Sequence, residues 1–166
     1  EDCAQAHGGR WQGKLLGSLS DVGSFSFQTS KLMASGEGGI CITDDDDLAD
    51  RLFRISHIGY TPGALQGQAS SPPETGMLCH NFRGTGFQAC VLQEQLNGLD
   101  ALIDRYEAAR NYLETRLQAS TKIRFQQRGR CVTRSATYKW VLIFDAPEYR
   151  DVSIETITQA LNTEGL

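Results

Sequence analysis

No apolar run in this chain approaches the roughly 20 residues that a membrane-spanning helix needs. Basic residues are not in excess either, with 16 Lys and Arg against 20 Asp and Glu and a formal charge of -4. That balance gives no electrostatic reason to expect nucleic acid or an anionic membrane as partner. No two cysteines stand at Cys-x-x-Cys distance. The five of them, Cys3, Cys41, Cys79, Cys90 and Cys131, are odd in number and widely spaced. A zinc site is therefore not expected, and reduced thiols in a cytoplasmic protein are. The three histidines, His7, His57 and His80, are just as scattered. Internal repeats and low-complexity tracts are absent, and 166 residues normally fold as one domain.

What is present centres on one stretch. Apolar and small residues alternate from Val22 to Phe27, the pattern of a half-buried strand. The strand leads through Gln28-Thr29-Ser30 to Lys31, and a glycine-rich bend, Gly36-Glu37-Gly38-Gly39, follows. A lysine delivered from a strand end into a glycine-bounded loop is either a solvated charge or an amine held in one pose. Held and partly desolvated, it could condense with a carbonyl. The loop alone leaves both readings open.

Elsewhere the pattern predicts short strands at Lys14 to Leu16, Gly39 to Thr43 and Ile123 to Gln126, and a longer one from Ser135 to Phe144. The segment around residues 39–43 can pair with residues 22–27 across the Lys31 loop. Asp44 to Asp47 reads as the acidic start of a helix capped by Thr43 or Asp44, not as a metal cluster. Residues 59–76 read as a long loop. A helix is expected from Thr85 to Leu96, a break at Asn97-Gly98, and a second helix with Leu99, Leu102, Ile103, Tyr106, Leu113 and Leu117 on one stripe. Arg105, Glu107, Arg110 and Glu114 then form a solvated face. A last helix is capped by Asp151 or Ser153.

Four features together carry a resemblance. Glu1-Asp2-Cys3-Ala4-Gln5-Ala6-His7-Gly8 opens the chain. Ser24-Phe25-Ser26-Phe27-Gln28-Thr29-Ser30-Lys31 runs into Gly36-Glu37-Gly38-Gly39. Asn81-Phe82-Arg83 precedes Phe87-Gln88-Ala89, and the helices follow. In this order the motifs resemble the DegT/DnrJ/EryC1/StrS family of pyridoxal-phosphate-dependent sugar aminotransferases. The resemblance covers nearly all of the chain but only part of the family's two-domain architecture. It implies an α/β fold: a remnant of the cofactor-binding large domain over residues 1–97, then tandem helices and the start of an α+β small domain over 98–166.

The resemblance also implies roles. Lys31 would be the catalytic residue and would carry pyridoxal 5'-phosphate covalently; the presence of lysine rather than histidine favours transamination over dehydration. Asp2 would pair with the pyridine nitrogen, Gln5 with the ring hydroxyl, and Ser26 with the phosphate. Asn81 would reach the phosphate in a neighbouring subunit, which implies a homodimer or higher homo-oligomer. Arg83 is either a substrate or interface residue or a structural ion pair, and His7 is a packed loop histidine. The implied reaction moves an amino group from an amino acid to a keto-sugar or keto-cyclitol. The alternative is a truncated, non-catalytic remnant that persists as an oligomer. The family's upstream phosphate loop and ring-stacking aromatic do not occur in these residues, so cofactor held by this chain alone is expected to bind weakly.

Overall fold

The computed structural model describes residues 1–63, 76–118, 122–145 and 147–165. In chain order its elements are β1 (Arg10–Trp11), β2 (Lys14–Leu15), β3 (Gly23–Ser26), β4 (Gly39–Ile42), α1 (Asp46–Ser56), α2 (Gly86–Leu117), β5 (Arg124–Phe125), β6 (Val132–Arg134), β7 (Leu142–Ile143), a short 3-10 turn (Pro147–Tyr149) and α3 (Ile154–Thr163). The class is α/β, as the family resemblance implies. Most of the 59–76 loop lies outside the described residues.

β3 and β4 pair antiparallel across the Lys31 loop, with Phe25 opposite Ile40 and Ser26 opposite Gly39. Glu1 to Cys3 lies parallel along the head of β3. Ser24 N donates to Glu1 O at 2.9 Å, and Cys3 N donates to Ser24 O at 2.8 Å. The backbones come close enough here that Gly23 is required: a Cβ on it would stand 2.6 Å from Gly17 Cα. β1 pairs with β2 and also with β6, tying the start of the chain to residues 132–134. β5 pairs antiparallel with β7.

α1 begins one residue later than the sequence suggests. Asp45 is its cap, accepting from Leu48 N at 2.9 Å, while Thr43 Oγ1 accepts from Asp45 N at 3.1 Å. Asp46 and Asp47 occupy the first turn, where the helix end is positive.

The expected break at Asn97-Gly98 does not form. α2 is one helix of 32 residues, started by a capping box of Thr85 and Gln88. A glycine inside a helix costs about 1 kcal/mol relative to alanine. Leu99 (7% exposed) and Ile103 (0%) follow at once, and full burial of each side chain is worth about 1.5–3 kcal/mol. The two together outweigh the glycine, so the helix runs through. The boundary proposed at 97/98 therefore falls inside α2.

Nor is the charged face of this helix merely solvated. Glu107 accepts from Arg128 Nη1 and from Ser135 N, both at 2.9 Å. Arg110 Nε donates to Glu114 at 2.6 Å, and Arg110 Nη2 donates to Gln126 O at 3.2 Å. Glu114 also accepts from Trp140 Nε1 at 3.3 Å. Arg134 reaches Asp100 and Asp104. These groups fasten residues 126–140 along α2.

The strand expected from Ser135 to Phe144 shrinks to β7. Residues 135–140 instead direct polar groups sideways: Ser135 N goes to Glu107, and the Tyr138 hydroxyl goes to the Lys31 loop. α3 is capped by Ser153, whose Oγ accepts from Thr156 N at 3.2 Å.

Candidate functional site

The Lys31 loop is bonded internally before anything packs on it. Phe27 N donates to Gly38 O at 2.8 Å, and Ser35 N to Phe27 O at 2.9 Å. Thr29 Oγ1 closes onto Gly36 O at 2.9 Å. Lys31 N itself donates to Gln28 O at 2.9 Å. A lysine in such a turn has its backbone placed, and only its side chain retains freedom.

α2 then holds this loop from below. Gln88 and Gln95 lie on one face of the helix, i and i+7, with Leu92, Leu99 and Ile103 along the same side. Gln88 Nε2 donates to Glu37 O at 2.7 Å while its Oε1 accepts from Thr85 N at 2.8 Å. Gln95 takes both groups of Ala34, with Oε1 accepting from its N at 2.8 Å and Nε2 donating to its O at 2.7 Å. Between these clamps, Leu32 and Met33 are buried against Leu99 and Ile103, with Phe27, Leu92 and Tyr138 packed around them. The small hydrophobic core of the chain thus sits directly under Lys31, which is itself half-buried.

Asp2 is placed beside β3, Ser26 ends that strand, and Lys31 follows it by five residues. Asp2 is bridged to Ser24, and its Oδ1 accepts from Ala4 N at 3.0 Å, leaving Oδ2 for another donor. Gln5 is exposed. Ser26 Oγ accepts from Gln28 N at 3.3 Å, so its hydroxyl proton remains available for an anion. Asn81 stands apart, on a segment that pairs with the end of α1 through His57. Its Oδ1 accepts from Arg83 Nε at 2.8 Å, which leaves its amide donors for a partner. No hydrogen bond joins Asn81 to Asp2, Ser26 or Lys31 among the described residues. No group of three or more His, Cys, Asp or Glu gathers as a metal site among them either.

His7 is buried behind β3, 3% exposed. Its ring lies 5.4 Å from that of Phe25 and 6.1 Å from that of Phe27. Burial pushes its pKa below the ordinary 6.5; the nearby Ser26 backbone opposes this shift and the Lys31 charge adds to it. The Ser26 backbone is close but not aligned, since neither ring nitrogen meets hydrogen-bonding geometry. The expected packed histidine is found, and its uncharged form is the one that the apolar surroundings favour. Burial first and then the Glu1 charge push the Cys3 thiol up to about 11.

Three residues of this site had no role in the sequence reading: Gln88 beyond its place in a motif, Gln95, and Tyr138. The glutamines had a usable signal, since Gln88, Leu92, Gln95, Leu99 and Ile103 recur at helical spacing on one face. Tyr138 had none, because its contact depends on residues 135–140 leaving the strand pattern.

The model of the DegT/DnrJ/EryC1/StrS aminotransferase family matches residues 1–166. The chain belongs to this family. It is 37% identical over 172 residues to L-glutamine:2-deoxy-scyllo-inosose aminotransferase of Streptomyces lividus, covering 99% of this chain and 39% of that relative. The enzyme of the same name from Streptomyces kanamyceticus is 37% identical over 171 residues, with the same coverage of both chains. Among solved structures, 3-amino-5-hydroxybenzoic acid synthase superposes with a TM-score of 0.82 at 28% identity, over 99% of this chain and 41% of that one. A family member from Brucella abortus gives 0.78 at 26% identity, over 100% of this chain and 40% of that one. The chain thus spans about two-fifths of the length of the relatives it matches.

Pyridoxal phosphate is the cofactor that this family implies, and the donor set fits it. One carboxylate oxygen of Asp2 is open to a protonated ring nitrogen, the Ser26 hydroxyl proton is open to a phosphate oxygen, and Lys31 supplies a primary amine.

Proposed function

We propose that this chain carries the lysine-bearing part of an aminotransferase site that moves an amino group from an amino acid to a keto-cyclitol or keto-sugar. L-Glutamine as donor and a deoxy-inosose as acceptor are the substrates that the names of the relatives suggest. The observation that carries the reading is the double clamp on the Lys31 loop: Gln88 on Glu37 and Gln95 on Ala34 fix the turn that presents the amine.

Asp2, Gln5, Ser26 and Lys31 would hold the cofactor, with Asn81 contributing to the site of a neighbouring subunit. Bound there, pyridoxal phosphate supplies an aldehyde for the amino group and a ring that accepts an electron pair. Asp2 Oδ2 would keep a proton on the ring nitrogen, and Ser26 Oγ would donate to a phosphate oxygen. Lys31 Nζ would supply the amine that anchors the group and the base that moves the proton of the transfer. Leu32 and Met33, the next two residues, are buried in the core and anchor the loop that carries the amine.

Residues 1–97 form the cofactor-binding part in this reading, and residues 98–166 the linking helix and small-domain part. A homodimer or higher oligomer accounts for the apolar side chains exposed around Asn81: Leu78 at 82%, Phe82 at 69% and Phe87 at 88%. All five cysteines are free thiols, which suits a reducing cytoplasm. Among the described residues no helix is long and apolar enough to cross a membrane.

The half-reaction tests the proposal. The cofactor-loaded protein is mixed with L-glutamine and the cofactor's absorbance is followed. Conversion that slows by about 10²–10⁴-fold in Lys31→Ala supports it; conversion that is equally fast without the amine contradicts it.

A further inference from the structure

Tyr138 lies far along the chain from Lys31, yet it meets the Lys31 loop twice. Ser30 Oγ donates to Gln28 Oε1 at 2.6 Å and lies 2.7 Å from the Tyr138 hydroxyl. With the serine proton spent on Gln28, the tyrosine must be the donor to Ser30. Lys31 Nζ stands 5.0 Å from the centroid of the same ring, and Lys139 Nζ stands 5.4 Å from it. Both distances lie within the ~6 Å over which a cation is drawn to an aromatic face. The ring is not loose, because it packs against the core of Leu32, Met33, Leu99 and Ile103.

We propose that Tyr138 is a positioning residue for the Lys31 amine. Its hydroxyl fixes the residue before the lysine, and its ring holds the ammonium at the mouth of the site. The long, flexible lysine stem would otherwise leave the amine to wander. Lys139 Nζ shares the same ring. The proposal rests on the reading of Lys31 as the cofactor-bearing amine.

Its test needs no cofactor. The chain has four lysines, Lys14, Lys31, Lys122 and Lys139. Each is labelled with a limiting acetylating reagent at fixed pH, and the rates are read from peptide masses. In Tyr138→Leu the rates at Lys31 and Lys139 are expected to rise by about two- to fivefold, as loss of a cation–aromatic contact predicts. Lys14 and Lys122 are expected to stay unchanged. Tyr138→Phe, which keeps the ring, is expected to restore both rates while amide exchange at Ser30 and Lys31 quickens. Unchanged labelling of Lys31 in the leucine variant, or equal labelling in the leucine and phenylalanine variants, overturns the proposal. A rise at all four lysines marks unfolding of the leucine variant. Exchange in Tyr138→Phe then decides: faster exchange at Ser30 and Lys31 alone supports the positioning role, and unchanged exchange overturns it. A protein that shows these rises but never binds pyridoxal phosphate keeps the tyrosine clamp and loses the functional reading. Cofactor trapped on Lys31 without the rises does the reverse.

Discussion

Gln95 grips Ala34 by both ends of its backbone, accepting from the N–H at 2.8 Å and donating to the carbonyl at 2.7 Å. A partly buried backbone pair satisfied by one side chain has no second partner waiting. Gln95→Ala is expected to destabilise the fold by about 1–3 kcal/mol, the cost of leaving such groups unmade. Urea unfolding measures it. A loss below about 0.5 kcal/mol means that the loop holds itself and the helix is incidental.

Gly8 stands at φ +72°, and a Cβ there would come within 2.5 Å of Ile103 Cδ1, the most deeply buried side chain of the core. Gly8→Ala is expected to cost about 1–3 kcal/mol from crowding. Ile103→Val alone costs about 0.5–1.5 kcal/mol. The two together are expected to cost less than their sum, because valine lacks the methyl that the alanine strikes. Strict additivity in thermal or urea unfolding argues against the contact.

His7 makes stability depend on pH with a definite sign. Its folded pKa is depressed below 6.5 by burial, so the unfolded chain binds the proton more readily. Its contribution is fully present above pH 6.5 and is lost as pH falls towards the folded value. His7→Phe removes the titrating group, and its stability profile between about pH 7 and pH 5 is expected to be flatter than that of the parent. Parallel profiles contradict the assignment.

The thiols differ sharply. Cys3 is 1% exposed and raised to about 11, whereas Cys41 and Cys90 are exposed. Iodoacetamide at about pH 8 is expected to label Cys41 and Cys90 well before Cys3, since only the thiolate reacts. Early labelling of Cys3 indicates that the segment carrying Asp2 and Gln5 is not docked on β3.

Local patterns announced the parts of the fold that they alone determine. Alternation from Val22 to Phe27 located β3, and its pairing with β4 followed from the loop between them. Ser153 was among the caps named for α3. Gly98 misled, because glycine reads as a stop unless the burial of Leu99 and Ile103 is known in advance. Glu107, Arg110 and Glu114 misled for the same reason: charges on a helix look solvated until the segment 126–140 that meets them is in place. Lys31, Asp2, Gln5, Ser26 and Asn81 were legible only as a set of motifs. Of the residues that fix Lys31 in space, Gln88 and Gln95 share a helical face that their spacing shows, whereas Tyr138 depends on a contact between distant segments that no local spacing encodes.

Borohydride trapping tests the account most directly. The protein is incubated with pyridoxal phosphate, reduced, digested, and the modified peptide is identified by mass. A saturable adduct on Lys31, diminished in Asp2→Asn and Ser26→Ala and absent in Lys31→Ala, is the predicted result. Modification spread evenly over Lys14, Lys31, Lys122 and Lys139 would show that no amine in this chain is singled out, and the proposed site would not stand.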